Sequence, residues 1–484
     1  MRTLHLHFMG IGGQGISAVA QMAYRSGNRV SGCDRAASAT TRAMEQAGIP
    51  VAIGHDAAHL DNVDVLVISP AVTALDPDNA ELLAARQHGV VVKNWQEMLG
   101  ELMRGKCVLS ISGVHGKGTT TSMLSLMMVD GGLDPTCEIG AVVPRFGANY
   151  RLGQGRYFVN EADEFNHNFW HYHPRLAVVK SIEFEHPEFF ANYDAYLNAF
   201  EHFIRGMDMQ GDWSLPPTLV LNVDSQGCLD LLARLHDWPG RVITYSTGHA
   251  LLSEDAVMVA ASDIRLDGET SFHVHAHDGI TFPEDVTLHL QLPGAHNVEN
   301  ALAALIVARL VDVDTSVIVR ALEQFGGTRR RFELRYRGTV AGQENVILVD
   351  DYAHHPTAIA ATLAATRRRY PDRRLVAVYQ PHMYSRTKAF FTQFLQSFDA
   401  ADVVLLTDIY PAREQDTGLI HARDLVAALA QRSHFAPGAA QVLYSGGVEA
   451  TAQLLTSTLR TGDIVVIMGA GDIYKVTEQL LPTI

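Results

Sequence analysis

Short apolar runs alternate with helix-like segments along most of this chain, and each run is followed by a polar or glycine-rich stretch. That rhythm predicts α/β layers built on parallel sheets. The first strand is Leu4–Met9. It passes through Gly10-Ile11-Gly12-Gly13-Gln14-Gly15 into a helix reaching about Ser26, then a strand Arg29–Ser31 and Asp34. Val63–Ser69 is another buried strand, stopped by Pro70, and a first unit (1–105) closes near residue 105.

A second unit (106–326) opens with the strand Cys107–Ile111 and a helix over Ser122–Val129. Further strands follow at Arg156–Val159, Leu176–Ile182, Thr218–Val223 and Arg241–Tyr245. Between about Ser262 and Leu292 the period shortens to two, as in Ser271-Phe272-His273-Val274-His275. This predicts antiparallel strands ahead of a helix Asn297–Val311. The histidines of that run alternate outward, as on a solvated strand face, in preference to a metal cluster. A third unit (327–484) opens after Gly326-Gly327 and the basic run Arg329-Arg330-Arg331. Its strands Val346–Val349, Leu375–Tyr379, Val403–Leu406 and Ile464–Met468 each end in a polar or glycine-rich loop. Ligands of open α/β sheets sit at the carboxyl ends of strands. The loops Asp350–Thr357, Gln380–Thr387, Asp408–Arg413 and Gly469–Asp472 are therefore where chemistry is to be sought.

Composition narrows the class. At roughly 150 residues per domain, 484 residues hold about three domains, and 47% hydrophobic with 19% charged residues is an ordinary globular balance. A net charge of −15 argues against non-specific nucleic-acid binding, which needs a basic surface. Cys33, Cys107, Cys137 and Cys228 lie far apart with no C-x-x-C pair, which favours reduced thiols over disulfides or zinc. No apolar run approaches the roughly 20 residues of a membrane span, and no signal sequence opens the chain, so a cytoplasmic protein without membrane contact is expected.

The stretch Ser110-Ile111-Ser112-Gly113-Val114-His115-Gly116-Lys117-Gly118-Thr119-Thr120-Thr121 carries the most chemistry. A strand, a glycine-rich turn and a helix in that order let backbone N–H groups converge on a polyphosphate. Lys117 would add a point charge, and Thr119 or Thr120 a hydroxyl for Mg²⁺. The pattern departs from G-x-x-x-x-G-K-[ST]: Ile111 stands where the first glycine belongs, and Gly118 follows the lysine. Nearby, Asn160-Glu161-Ala162-Asp163-Glu164 puts three carboxylates at a strand end, and Glu183-Phe184-Glu185-His186 adds more after the next strand. Beside a phosphate loop such oxygens suit Mg²⁺; a solvated charge cluster is the alternative. Asn297 and Asn300 fall on the first turn of a helix, where an N-cap is the plain explanation. Asp350-Asp351-Tyr352-Ala353-His354-His355 also fits a metallohydrolase, though that reading leaves the phosphate loop unexplained. The loop Gly10–Gly15, with Asp34 about twenty residues on, suggests a diphosphate at a helix N-terminus, or else close helix–strand packing alone.

In this order the motifs resemble those of the Mur ligases, the ATP-dependent amide-forming enzymes of peptidoglycan assembly. The resemblance spans nearly the whole chain. It rests on the glycine loop with Asp34, Ser69-Pro70-Ala71-Val72, the phosphate loop, Glu161–Glu164, His296-Asn297, Arg331-Phe332-Glu333, Asp350–Pro356, Gln380-Pro381-His382 and Asp408–Arg413. It implies an α/β protein of three domains. These are an N-terminal Rossmann-like UDP-binding domain, a central P-loop ATPase whose mostly parallel sheet carries a small antiparallel one, and a C-terminal Rossmann-like domain that brings the amino acid. By motif, Gly10, Gly12, Gly13 and Gly15 would hold the UDP diphosphate, with Asp34, His55 and Ser69 on the same sugar nucleotide. Gly113, His115, Gly116, Lys117, Gly118, Thr119 and Thr120 would surround ATP phosphates, with Asn297 at the adenine and Asn300 nearby. Arg331 and Asp351 would reach across from the third domain. Thr119, Glu161 and His186 would bind Mg²⁺, and His355, His382 and Arg386 the amino acid. Lys117, Glu161, His186, Arg331 and Asp351 would carry catalysis.

The implied reaction joins L-alanine to the carboxylate of UDP-N-acetylmuramate through an acyl phosphate, using ATP and Mg²⁺. Its partners are small molecules, and a monomer or weak homodimer is expected. A glycine after the lysine is compatible with ATP use, since the distantly related folylpolyglutamate synthases read G-K-G-S. Several relatives bridge two ions with a carbamylated lysine, but no lysine lies between Lys180 and Lys388. Glu183–Phe190 and His354–Ile359 also resemble the member that attaches a whole tripeptide, whereas Gln380–Thr387 follows the alanine-adding pattern. A non-catalytic sensor of UDP-sugar and ATP should have lost a catalytic charge, and Lys117, Glu161, His186, Arg331 and Asp351 are all present.

Overall fold

Every residue of the strand His5–Met9 is buried, as a strand covered on both faces must be. It is β1 of a computed structural model that describes residues 3–248, 258–276, 282–283, 286–412, 414–432, 434 and 440–481. Arg413 and part of the period-two region (277–281, 284 and 285) lie outside the described residues. With β2 (Arg29–Asp34), β3 (Val51–Ile53), β4 (Val65–Ile68) and β5 (Val91–Asn94), β1 forms an all-parallel sheet of order β3-β2-β1-β4-β5. The reversal of strand order at β1 opens a crevice at its carboxyl end, and the glycine loop occupies it.

The central sheet is ten-stranded. Its strands are β6 (Cys107–Ser112), β7 (Thr136–Val143), β8 (Ala148–Arg151), β9 (Tyr157–Glu161), β10 (Leu176–Val179), β11 (Thr218–Asn222), β12 (Arg241–Ser246), β13 (Val259–Arg265), β14 (Thr270–Ala276) and β15 (Thr287–Leu290). Along β6, Cys107, Leu109 and Ile111 face one apolar cluster and Val108 the other, the period-two signature of a strand in the middle of a domain. β13, β14 and β15 are antiparallel, as the change of period predicts. His273 and His275 on β14 bond to Thr287 and Ser262 hydroxyls and gather no metal-like set among the described residues. The β7–β8 hairpin is an addition to the expected elements; its short edge strand gives no clear alternation.

The third sheet orders β16 (Glu333–Val340), β17 (Gln343–Asp351), β21 (Ile464–Met468), β18 (Leu375–Tyr379), β19 (Val403–Thr407) and β20 (Gln441–Gly446). All neighbours are parallel except the β16–β17 hairpin. β16 is half-exposed and carries three charged residues, which hid it from a search for apolar runs. The first and central units share one apolar cluster: Leu6 and Phe8 join Val108, Phe158 and the linking helix residues Met98 and Leu99. Each fully buried aliphatic side chain there contributes about 1.5–3 kcal/mol, so this junction is a packed core. Among the described residues no helix is long and apolar enough to cross a membrane.

Candidate active site

β6 delivers the chain to the loop Gly113–Gly116, and a helix begins directly at Lys117 and runs to Asp130. The expected start at Ser122 is thus five residues late: Gly118 and three threonines weaken helix propensity, but Gly116 at φ +76° turns the chain into the helix ahead of them. Gly113 is also left-handed, at φ +120°. A Cβ at Gly116 would collide with the amide oxygen of Asn300 and the ammonium of Lys180, so glycine is needed there twice over. Gly116 makes no side-chain cap, which leaves the helix N–H groups available to an anion.

Lys117 Nζ stands 2.9 Å from Glu164 Oε2 and 3.9 Å from Asp163 Oδ1. Burial works against its charge, but Glu164, Asp163, Glu161 and Glu185 outweigh burial and hold the ammonium above its ordinary range. Glu164, wholly buried, also accepts from Tyr196 Oη at 3.0 Å. Thr120 is committed to Asn300 Oδ1 at 3.2 Å, whereas Thr119 lines the cleft. Gly118 has its own reason: a Cβ there would lie 3.0 Å from Glu161 Oε2, so the absent side chain leaves room for a carboxylate.

Glu161 ends β9 and accepts from Gly140 N at 3.0 Å. Glu138 is held well above the carboxylate range by burial and by Glu161 and Asp163. Asp163 is raised to about 6 by burial and then Glu164, an effect tempered by solvent because 44% of its side chain is open. His186 (φ +56°) lies with Asp163 and Glu164 in a group whose ligand atoms fall within 4.8 Å of one another. Four carboxylates crowd around one lysine, a surplus of oxygen charge that fits a hard divalent cation.

Above the loop, central and C-terminal units enclose a cleft of about 670 Å³. The central unit contributes His115, Gly116, Thr119, Lys180, Asn297 and Asn300, and the C-terminal unit contributes Arg331 and Asp351. Sequence reasoning named all of these except Lys180. Asn297 is not an N-cap, because the helix Ala295–Leu310 starts after Gly294; its Nδ2 donates to Pro293 O at 2.8 Å, and its Oδ1 accepts from Asn300 at 2.9 Å. Lys180, 3% exposed, donates to Asn300 Oδ1. Burial depresses its ammonium to about 8, with Glu299 opposing. No local motif could have found it; it follows β10 in an apolar context and is aimed by tertiary packing. His296 is lowered to about 4 by burial, Lys180 and His115. Arg331 lies over the Tyr352 ring at 5.0 Å, and Asp351 accepts from Phe332 N and Ala353 N, both at 2.7 Å.

Beside this cleft His355 stacks at a tilt against His115, ring centroids 5.1 Å apart, with both ring nitrogens buried and unbonded. Burial and His115 lower it to about 4, so it is uncharged near neutrality. Arg386 donates to Glu185 Oε1 at 2.9 Å across the domain boundary and stands 3.5 Å from His382 Nδ1. His382 in turn stacks on Tyr410.

In the first unit Gly10 (φ +80°) donates to Cys33 O at 2.8 Å, and Gly12 N donates to Asp34 Oδ2 at 2.8 Å. A Cβ at Gly15 would lie 2.7 Å from the Trp95 ring. Gly13 caps the helix Gln14–Arg25 without a side-chain bond. Ser69 N donates to Met9 O, on the same rim. His55 Nδ1 stands 3.2 Å from Cys33 Sγ and 3.6 Å from Glu81 Oε2.

Three α/β units, with the glycine loop of the central one facing the C-terminal one across a shared cleft, define a multidomain α/β enzyme. Sequence profiles agree in three consecutive pieces: Mur ligase family, catalytic domain (5–107), Mur ligase middle domain (111–308), and Mur ligase, glutamate ligase domain (330–471). The chain belongs to the Mur ligase family. It is 39% identical to a UDP-N-acetylmuramate–L-alanine ligase of Verminephrobacter eiseniae over 99% of this chain and 95% of that protein. It is 38% identical to that of Desulforapulum autotrophicum over 99% and 98%. A crystal structure of the UDP-N-acetylmuramate–alanine ligase from Thermotoga maritima superposes with a TM-score of 0.77 at 25% identity, covering 99% of this chain and 98% of that one. A murein peptide ligase from Psychrobacter arcticus gives 0.69 at 26% identity, over 99% and 100%.

Proposed function

We propose that this chain is an ATP-dependent ligase that joins L-alanine to the carboxylate of UDP-N-acetylmuramate, in peptidoglycan precursor synthesis. The observation that carries the reading is the composite cleft, in which Gly116 and Thr119 of one unit face Arg331 and Asp351 of the other. The names of the relatives supply the substrates.

The roles follow from charge. Backbone N–H groups after Gly116, with Lys117, Lys180 and Arg331, hold the triphosphate and spread its charge. Glu161 and His186 with Thr119 would hold Mg²⁺, whose chemistry here is to shield carboxylate and γ-phosphate from one another. The glycine loop of the first unit holds the UDP diphosphate and presents the muramyl carboxylate. Its oxygen attacks the γ-phosphorus; an O–P bond forms, the bond to ADP breaks, and an acyl phosphate results. The amine of L-alanine then attacks the acyl carbon, phosphate leaves with the C–O electrons, and the amine loses a proton. Arg386 and His382 receive the alanine carboxylate, which must share or displace Glu185, while uncharged His355 borders the amine's path. Closure of the cleft keeps water from the acyl phosphate. ATP use places the reaction in the cytoplasm.

The test is phosphate release from purified protein given ATP, Mg²⁺ and UDP-N-acetylmuramate with an amine panel. Release that requires both the sugar nucleotide and L-alanine is expected. Release with the tripeptide but with no single amino acid would replace this reading by the peptide-adding one.

A further inference from the structure

In the first unit, away from the ATP cleft, five separated segments send metal-binding side chains to one point. His7 comes from β1, Cys33 from β2, His55 from the loop after β3, His59 from the turn Ala57–Leu60, and Glu81 from the first turn of the helix Ala80–Gln87. Donor atoms of His7, Cys33, His59 and Glu81 all lie within 4.8 Å of one another. Glu81, wholly buried, is the hub: its oxygens stand 3.0 Å from His7 Nε2, 3.4 Å from His59 Nδ1 and 3.3 Å from Cys33 Sγ.

We propose that His7, Cys33, His59 and Glu81 form a site for one transition-metal ion of the zinc type. Two imidazoles, a thiolate and a carboxylate are a mixed set that suits tetrahedral Zn²⁺ and is poor for Mg²⁺. The charges close as well, since one thiolate and one carboxylate neutralise a divalent ion. A hydrogen-bonded polar cluster is the plain alternative, and His7 argues against it. Its ring is 2% exposed, yet Nε2 makes no hydrogen bond of acceptable geometry although Glu81 is near. The opposite ring nitrogen, Nδ1, bonds to Ser31 Oγ at 2.8 Å, which fixes the ring with Nε2 aimed inward, as an outer-shell partner does for a metal ligand. His55 Nδ1, 3.2 Å from Cys33 Sγ, stands just outside the set as a further donor. His7 and His59 line an open cavity of about 550 Å³, which gives an ion a way in.

The ion would pin β1 and β2 to the turn and helix beneath the glycine loop. Cys33 O already accepts from Gly10 N and Ile11 N, so the site would buttress the diphosphate platform from below. The four separate ligand segments also explain why cysteine spacing gave no hint of it.

The experiment uses the full chain, stripped with a chelator and returned to buffer with excess Mg²⁺ to occupy the carboxylates of the central unit. Titration with Co²⁺ should then bind one ion per chain and raise a thiolate-to-metal charge-transfer band in the near ultraviolet. Zn²⁺ should displace it and raise the melting midpoint of the chelated protein. Cys33→Ser should lose the band, and His59→Gln should weaken Zn²⁺ binding by roughly tenfold or more. His59 is partly exposed, so that variant tests the site even if Cys33→Ser fails to fold. No thiolate band in the unaltered chain, or His59→Gln binding as tightly as the unaltered chain, would overturn the proposal.

Discussion

Lys180→Met separates stability from function. The ammonium is 3% exposed, and burial brings it from an ordinary 10.5 to about 8. At 1.36 kcal/mol per pH unit, that fall is about 3 kcal/mol of charge held against its preference. Methionine fills a similar volume and removes the charge. It also removes one hydrogen bond to Asn300, about 0.5–1.5 kcal/mol, but Asn300 Oδ1 keeps Thr120 as a donor. The ligand-free variant should therefore be more stable than the unaltered chain at pH 7, by about 2 kcal/mol, with a melting midpoint a few degrees higher. The sign with pH follows, because the folded value lies below the unfolded one. The cost is complete below about pH 8 and is relieved between about 8 and 10.5, so the gap between the two proteins should narrow across that window. ATP should tell the opposite story. A charge-assisted contact to phosphate is worth about 1.5–3 kcal/mol, so KM for ATP should rise roughly 10- to 100-fold while KM for the sugar nucleotide holds. Thermal melting without ligand and initial-rate kinetics with varied ATP measure both arms. A Lys180→Met protein that melts no higher and keeps its KM for ATP would refute the reasoning.

Lys117→Ala should abolish turnover while calorimetric titration still finds UDP-sugar bound to the first unit; it should also cost about 3–5 kcal/mol, since Glu164 is left buried without its cation. A near-normal rate would remove Lys117 from the mechanism. Gly118→Thr restores the usual hydroxyl after the lysine, yet kcat should fall, because the new Cβ lies 3.0 Å from Glu161 Oε2; an unchanged or faster enzyme would show that Glu161 has room to move. Arg386→Ala should raise KM for L-alanine with little change in KM for ATP, and chemical denaturation should show the loss of the buried pair with Glu185.

The strand, glycine turn and helix of Cys107–Asp130 were legible because they are contiguous, and local sequence specifies contiguous geometry. Leu375–Tyr379 and Ile464–Met468 were legible to the residue, since central parallel strands are short, wholly apolar and bounded by polar loops. β16 was not, because a half-exposed edge strand does not carry that signature. The helix start at Lys117 was misplaced for a comparable reason: a left-handed glycine and a tertiary contact with Asn300 overrode weak propensity.

By itself the sequence determined the layered α/β order, the glycine loops at strand ends and the residues that flank them, because burial periodicity and turn chemistry act over a few residues. Only the tertiary structure decided which distant groups meet. It set Thr120 against Asn300, Arg386 against Glu185, Lys180 into the cleft between the central and C-terminal units, and Cys33 among three histidines and Glu81. Those meetings depend on strand order and on how the units pack over shared apolar faces, and no local pattern encodes the direction in which a buried side chain will point.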